Sequence, residues 1–171
     1  QYFTRGHEFF ELGRYDLAAA DFNRCIRMQP DDQEALIWRG RSYLYEEHID
    51  AALADAERAC RLQPNDQEAR TLLAICLCAA GQFQESLAEF RRVREFDPED
   101  VAAYFYRGIA HAERGPARDA IADFSQVIEL DPDDAAAWHE RSRCHKDLGN
   151  KAAADADYSR ARELGWTDEA G

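Results

Sequence analysis

Apolar and polar residues recur along this chain with a period of 34 residues, marked by Pro30, Pro64, Pro98 and Pro132. Each proline follows an apolar–polar pair and precedes a pair of acidic or amide residues. Leu130-Asp131 and Asp133-Asp134 flank Pro132 in this way. Proline disfavours helix for the residue before it, and Asp or Asn caps the helix that follows. Each period therefore predicts the end of one helix, a turn and the start of the next.

Three further columns repeat in the same register. Two contain small residues, namely Gly6, Gly40, Ala74, Gly108 and Ser142, and then Ala18, Ala52, Ser86, Ala120 and Ala154. A third is mostly bulky and reads Phe22, Ala56, Phe90, Phe124 and Tyr158. Small residues let two helices approach closely, and a bulky residue fills the space between them. Each period therefore predicts two helices packed as a hairpin.

A turn column lies between the two helices of each period and reads Gly13, Glu47, Gly81, Gly115 and Gly149. Glycine there predicts a left-handed residue that ends the first helix, with Glu47 as the exception. The pattern predicts an all-α chain with helices near 1–12, 15–28, 33–46, 49–62, 67–80, 83–96, 101–114, 117–130, 135–148 and 151–164.

These columns resemble the tetratricopeptide repeat family. Its signature is an aromatic residue, a large residue followed by glycine and a second aromatic residue, and then Ala, Phe, Ala and Pro. The period 101–134 matches it with Tyr104, Arg107-Gly108, Ala120, Phe124, Val127 and Pro132. Leu36 and Arg70 replace the leading aromatic residue in two periods, and Trp166 replaces the last proline. The resemblance implies a right-handed superhelical solenoid of antiparallel helix hairpins. It would form a single domain, 1–171, with repeats 1–32, 33–66, 67–100, 101–134 and 135–168.

Arginine and aspartate also recur in register, sixteen residues apart in each pair: Arg5 and Asp21, Arg39 and Asp55, Arg107 and Asp123, Arg141 and Asp157. Arginine can bind a carboxylate through two hydrogen bonds. We expect a ladder of ion pairs that ties the two helices of each hairpin. The alternative is a row of arginines that awaits an acidic ligand. The third period has Leu73 in place of the arginine and Glu89 in place of the aspartate.

The last period differs on one helical face. It has Lys151, Asp155 and Arg162 where earlier periods are mostly apolar, with Leu53, Leu87, Ile121 and Ile128 in those columns and Arg94 as an exception. A stack of hairpins needs a polar face at its end. We therefore expect the three charged residues to be exposed as a C-terminal cap and the four apolar residues to be buried.

The formal net charge is −13, from 21 basic and 34 acidic residues. A field of that sign repels phosphate backbones and anionic lipids, so nucleic acid and membrane are not expected as partners. The cysteine count is odd and shows no framework spacing: Cys25, Cys60, Cys76, Cys78 and Cys144. Free thiols and the lack of a long apolar run favour a cytoplasmic protein.

Catalytic motifs are not recognisable: the sequence has no Gly-Lys phosphate loop, zinc-protease helix or nucleophile elbow. His139, Cys144 and His145 cluster in sequence, but the two histidines are six apart on one predicted helix and so face different directions. We expect no enzyme activity, cofactor or metal.

The family resemblance implies a concave surface lined by the first helix of each hairpin. The positions that would face inward are Phe3, His7, Phe10, Ile37, Trp38, Arg41, Tyr45, Ile75, Phe105, Tyr106, Ile109, His139, Arg143 and Lys146. Most are aromatic or aliphatic, as in protein-binding sites, although any one of them could instead pack between hairpins. The basic clamp with which some family members hold chaperone tails is not found in any register.

One expected function and two alternatives follow from these patterns. The chain is expected to be a scaffold or adaptor that binds a partner peptide or helix through apolar anchors, with an acidic group of the partner near Arg143 and Lys146. The alternatives are a module for self-association or a regulatory segment of a larger protein.

Overall fold

The structure is a computed structural model, and it describes residues 1–93 and 99–167. These residues form ten α-helices and no strand. In chain order the helices are α1 (Tyr2–Glu11), α2 (Tyr15–Met28), α3 (Gln33–Tyr45), α4 (Ile49–Leu62), α5 (Gln67–Ala79), α6 (Phe83–Arg92), α7 (Val101–Arg114), α8 (Ala117–Leu130), α9 (Ala135–Asp147) and α10 (Lys151–Glu163). Nine match the predicted spans to within a residue at each end. The predicted end of α6, together with Arg94 and Pro98, lies outside the described residues.

Four helix starts have the same cap, one period apart. The side chains of Asp32, Asp66, Asp100 and Asp134 each accept a hydrogen bond from the backbone N–H three residues later, at 3.0, 2.7, 2.9 and 2.9 Å. In each acidic or amide pair after the proline position, the second residue is therefore the cap. The bond satisfies one of the amides that a helix leaves unpaired at its first turn.

The turns within hairpins are left-handed in four of the five cases. Gly13, Gly81 and Gly149 have φ of 67°, 74° and 75°, and Glu47 adopts φ 59° in the same place. Gly115 departs from the prediction, because its φ is −121° and its ψ is −168°. Pro116 follows it and restricts the preceding residue to extended backbone, so this turn is formed differently.

Contacts divide the chain into two compact units, Gln1–Glu95 and Phe96–Gly171. In the first unit each of the helices α1 to α6 packs against the next, and α3 also contacts α1 and α5. Its core is built from Phe22, Leu36, Leu72 and the alanines of the small columns. In the second unit α7 to α10 pack in the same order around Phe124 and Val127.

The small column is explained by Gly108 and Phe124. A methyl group placed on Gly108 would lie 2.8 Å from the ring of Phe124, which is fully buried. The same contact recurs between Gly6 and Phe22, at 2.9 Å. At these two positions the backbone of the first helix therefore rests on the aromatic ring of the second, and a side chain larger than that of glycine would require the ring to shift.

The four predicted arginine–aspartate pairs are in contact, and each joins the two helices of one hairpin. The distances from Nε to the carboxylate are 2.6 Å for Arg5–Asp21, 2.7 Å for Arg39–Asp55, 3.0 Å for Arg107–Asp123 and 2.8 Å for Arg141–Asp157. A second guanidinium nitrogen bonds the same carboxylate in every case, and all four aspartates are buried. We call this set the ladder.

The ladder also joins adjacent hairpins. The third nitrogen of Arg39 donates to Asn23 of α2 at 2.8 Å, and that of Arg141 donates to Ser125 of α8 at 3.0 Å. In both cases the acceptor lies sixteen residues before the arginine. The guanidinium groups of Arg39 and Arg141 thus each link their own helix to two others, so these arginines are engaged in structural contacts.

The third hairpin keeps the ladder with different residues. The position in register with the other ladder arginines is Leu73. Arg70 takes the role instead and donates to Glu89 at 2.8 Å. Arg70 lies one helical turn before Leu73, and the longer side chain of Glu89 spans the added distance.

Charged residues of the last hairpin are exposed as expected, since Lys151, Asp155 and Arg162 all face solvent. Leu87 and Ile128 are buried. Leu53 and Ile121 are only half-buried, which corrects the expectation for those two. They pack against the margins of their cores rather than inside them.

Replacing Glu47 by glycine should stabilise the chain. A residue with a Cβ in the left-handed region costs about 1 kcal/mol, which glycine avoids. We expect a gain of about 1 kcal/mol in the free energy of unfolding, measured by urea denaturation. Glu46→Gly is the matched control: Glu46 has φ −91°, so glycine there should give no gain.

Replacing Asp55 by asparagine should destabilise the chain by about 2–3 kcal/mol. Asparagine keeps the shape but leaves the guanidinium of Arg39, which is 15% exposed, without a charged acceptor. The same urea titration measures the loss, and Asp50→Asn on the exposed face of α4 is the control. Equal stabilities of the two variants would show that the ladder contributes no more than a surface charge.

Asp21 provides a test by pH. Hydrogen bonds from Arg5 hold the pKa of its carboxyl below the usual value, against the opposing effect of burial. The folded value thus lies below the unfolded one of about 3.9. The carboxylate therefore contributes stability above that pH, and the contribution disappears as the pH falls through the folded pKa. Asp21→Asn should be less stable than wild type at neutral pH, and the difference should shrink in acid.

Candidate protein-binding surfaces

An aromatic cluster joins the first two hairpins at the surface. We define it as His7, Phe10, Tyr15, Trp38 and Tyr45. Ring centroids are 3.9 Å apart for His7–Trp38, 5.2 Å for Phe10–Trp38, 5.5 Å for Phe10–Tyr45 and 4.4 Å for Tyr15–Tyr45. Three helices, α1, α2 and α3, therefore supply one continuous set of rings.

The cluster presents an open apolar side and a polar margin. Tyr45 is 58% exposed, which is high for so large a ring, while Phe10 and Trp38 are half-buried. Arg41 lies 4.7 Å from the ring centre of Trp38 and pairs with Glu68 at 3.0 Å. The guanidinium thus covers part of Trp38 and leaves Tyr45 as the most accessible ring of the cluster.

Some residues expected in the groove pack in the interior instead. Ile37 and Ile75 are 3% and 6% exposed, and Ile37 belongs to the main core of the first unit. Phe3 contacts the buried ring of Phe22 at 5.6 Å. Both isoleucines are buried, so they are removed from the candidate surface.

In the second unit, the corresponding positions of α7 are also mostly structural. Phe105 and Ile109 are half-buried and pack against the core around Phe124. Tyr106 is half-buried, with its ring edge-on to Phe105 at 5.9 Å. These residues form a less open surface than the aromatic cluster of the first unit.

The inward positions of the fifth hairpin line a groove of different chemistry. His139, Arg143 and Lys146 of α9 face Lys151, Asp155 and Tyr158 of α10 across a space of about 500 Å³. Ser142, Gly149 and Ala154 complete its walls. Its charged lining residues are three basic ones, Arg143, Lys146 and Lys151, and one acid, Asp155, in a chain that is acidic overall. We call it the basic groove.

Several residues of these surfaces were missed by the sequence reading. Tyr15 was not among the predicted groove residues, yet its ring stacks on Tyr45 with an interplanar angle of 9°. Trp166 was seen only as a substitute for proline, but it stacks on His139 at 4.3 Å. Lys151 was assigned to a cap rather than to a groove. A large aromatic residue in a column that is otherwise proline was the signal available for Trp166.

The histidines and cysteines have structural surroundings. His111 and His145 lie 3.2 and 3.8 Å from the ladder carboxylates of Asp123 and Asp157. Burial raises the pKa of the thiols of Cys60 and Cys144 to about 11. These two thiols therefore stay protonated at neutral pH and act as small apolar side chains. Within residues 1–93 and 99–167, no group of three or more His, Cys, Asp or Glu residues is arranged to hold a metal ion.

None of the helices in the described part of the chain combines the length and apolar character that a bilayer span requires.

Solved structures share this fold over nearly the whole chain. MamA from AMB-1 has a TM-score of 0.73 at 20% identity, covering 95% of this chain and 96% of that one. YrrB, described as a TPR protein with an unusual peptide-binding site, has a TM-score of 0.69 at 21% identity and covers 96% and 84%. TTC0263 from Thermus thermophilus has a TM-score of 0.69 at 23% identity and covers 98% and 91%. A search of curated proteins finds no match.

The amino-acid sequence also matches models of a protein family. One model described as tetratricopeptide repeat matches residues 3–44 and 108–169, and a second with the same description matches residues 43–106. The first alone spans more than half of the chain, and its matches include the capping residues Asp32 and Asp134 and the ladder pairs of the first and last hairpins. The chain therefore belongs to the tetratricopeptide repeat family.

Proposed function

We propose that this chain is a protein-interaction scaffold whose aromatic cluster binds apolar anchors of a partner polypeptide. The observation that carries the proposal is the continuous set of rings from α1, α2 and α3, with Tyr45 58% exposed at its open side. Aromatic rings bury a large area while losing little rotational freedom, and they are enriched among residues that dominate binding energy.

The arrangement favours recognition of a short segment or one face of a helix. The rings of Phe10 and Tyr45 lie 5.5 Å apart, so one aliphatic or aromatic side chain of a partner can contact both. The ladder fixes the two hairpins that carry them, so the cluster needs little reordering on binding. YrrB shares the fold and is described as having a peptide-binding site, which supports peptide binding as a use of this architecture.

A binding role also agrees with the chemistry of the described residues. Buried thiols with raised pKa values are poor nucleophiles, and the ladder carboxylates are occupied by arginine. We therefore propose a non-enzymatic function. Five free cysteines favour a reducing compartment, for which the cytoplasm is the simplest assignment.

The test is selection of peptides from a random displayed library against the whole chain, followed by calorimetric measurement of Kd. Selected peptides should carry apolar residues at helical or alternating spacing. Tyr45→Ala should weaken their binding by about 1–2 kcal/mol and Trp38→Ala by at least as much. Because Tyr45 is exposed, its replacement should leave the helical circular-dichroism signal unchanged.

Tyr43→Ala is the matched control. Tyr43 lies on the same helix two residues earlier, where it packs near Arg39 and outside the cluster. Peptides that bind wild type, Tyr45→Ala and Tyr43→Ala equally would rule out the aromatic cluster as the binding site. Sedimentation of the chain alone at two concentrations tests the self-association alternative independently.

A further inference from the structure

The chain has two lysines, and both line the basic groove. Lys146 is in the last turn of α9 and Lys151 is the first residue of α10. Every other basic residue of the chain, histidine aside, is an arginine. Both lysine side chains are exposed, so neither is needed to fill a core.

The charges of the groove are only partly compensated. Arg143 is held by Glu140 at 2.8 Å, and Asp155 is an exposed acid on the lining. The ion pairs of this hairpin within the described residues involve arginine or histidine, and none includes Lys146 or Lys151. Two ammonium groups therefore face one groove without a carboxylate within 4 Å among those residues.

Lysine suits a ligand contact better than a structural tie at this place. The ladder uses arginine, whose planar fork fixes one geometry, whereas an ammonium group on a flexible stem can follow carboxylates in different positions. Helix α10 begins at the groove, and Asn150 makes no side-chain cap bond there. The positive end of the helix dipole adds to the potential that the lysines create.

An aromatic wall adjoins the charged groups. His139 stacks on Trp166 at 4.3 Å, and its ring lies 6.4 Å from that of Tyr158. The buried Nδ1 of His139 and Nε1 of Trp166 have no hydrogen-bond partner among the described residues. The groove therefore combines cations for a carboxylate with rings for an adjacent apolar side chain.

We propose that the basic groove binds an acidic segment of the partner polypeptide, with Lys146 and Lys151 as the residues that contact its carboxylates. The proposal rests on the proposed scaffold function and adds a second, chemically distinct subsite to it. The occupant is a short peptide rather than a nucleic acid, because the net charge of −13 repels an extended polyanion while a few carboxylates are attracted locally.

Lysine content makes a direct test possible. Reductive methylation of the whole chain with ¹³C-formaldehyde labels Lys146, Lys151 and the α-amino group and keeps the charge of each. An acetylated and amidated peptide of sequence Glu-Leu-Glu-Glu-Leu-Glu is then titrated while the methyl resonances are followed by NMR. Both lysine resonances should shift and saturate together, and the α-amino resonance should not. The same peptide with glutamine at every glutamate should leave all three in place.

Variants provide a quantitative check. Lys146→Gln with Lys151→Gln should weaken binding of the acidic peptide about tenfold by calorimetry. Arg61→Gln with Arg118→Gln is the control, since both arginines are exposed outside the groove and the net charge changes equally. Raising NaCl from about 50 to about 500 mM should weaken binding of the acidic peptide, because salt screens the attraction between its carboxylates and the lysines.

Three results would overturn the proposal: lysine resonances that do not respond to the acidic peptide, equal binding by the two double variants, or lysine resonances that move with chain concentration alone. The last would mean that a second copy of the chain occupies the groove. The Tyr45→Ala variant should still bind the acidic peptide with the affinity of wild type. Loss of binding at the basic groove is therefore distinguishable from loss of binding at the aromatic cluster.

Discussion

A buried aspartate in the second helix of four hairpins is tolerable only because a guanidinium from the first helix reaches it. An isolated buried charge would cost several kcal/mol, and the two-nitrogen contact offsets that cost while fixing the distance and rotation of the two helices. Asp55, 5% exposed and bonded twice by Arg39, illustrates the arrangement. The third nitrogen of Arg39 then reaches Asn23 in the preceding hairpin. One interaction therefore sets both the geometry within a hairpin and its docking on the one before.

Because the ladder holds the helices of a hairpin together, the exposed sides of α1 and α3 are not needed for that contact. Small residues such as Gly108 and bulky residues such as Phe124 fill the contact between helices, and the ladder occupies one edge of it. Rings on the exposed side of α1 and α3 can then remain open without loss of the fold. The exposure of Tyr45 is the reason to propose binding there, since a ring that is 58% exposed contributes little to the core.

The third hairpin shows which part of the ladder matters. Its arginine column holds Leu73, yet Arg70 and Glu89 form the contact from one turn earlier. A salt bridge between two helices requires opposite charges that can reach each other, and more than one pair of columns satisfies that requirement. The distribution of the remaining basic residues is informative for the same reason: arginines are widely used in such pairs, while both lysines face the basic groove.

The sequence by itself determined the helices, their caps and the ladder. These depend on local chemistry repeated at a fixed spacing: a capping aspartate such as Asp134 acts within four residues, and a period of 34 places Arg141 and Asp157 on facing sides. Even the extended turn at Gly115 could have been read from the proline that follows it. Only the tertiary structure decided which apolar positions are covered and which side chains from different helices meet. Ile37 and Trp38 are neighbours in sequence, but packing buries one and leaves the other at the surface. Tyr15 meets Tyr45, and Lys146 shares a groove with Lys151, because the angles between packed helices set these encounters and helical periodicity does not specify those angles.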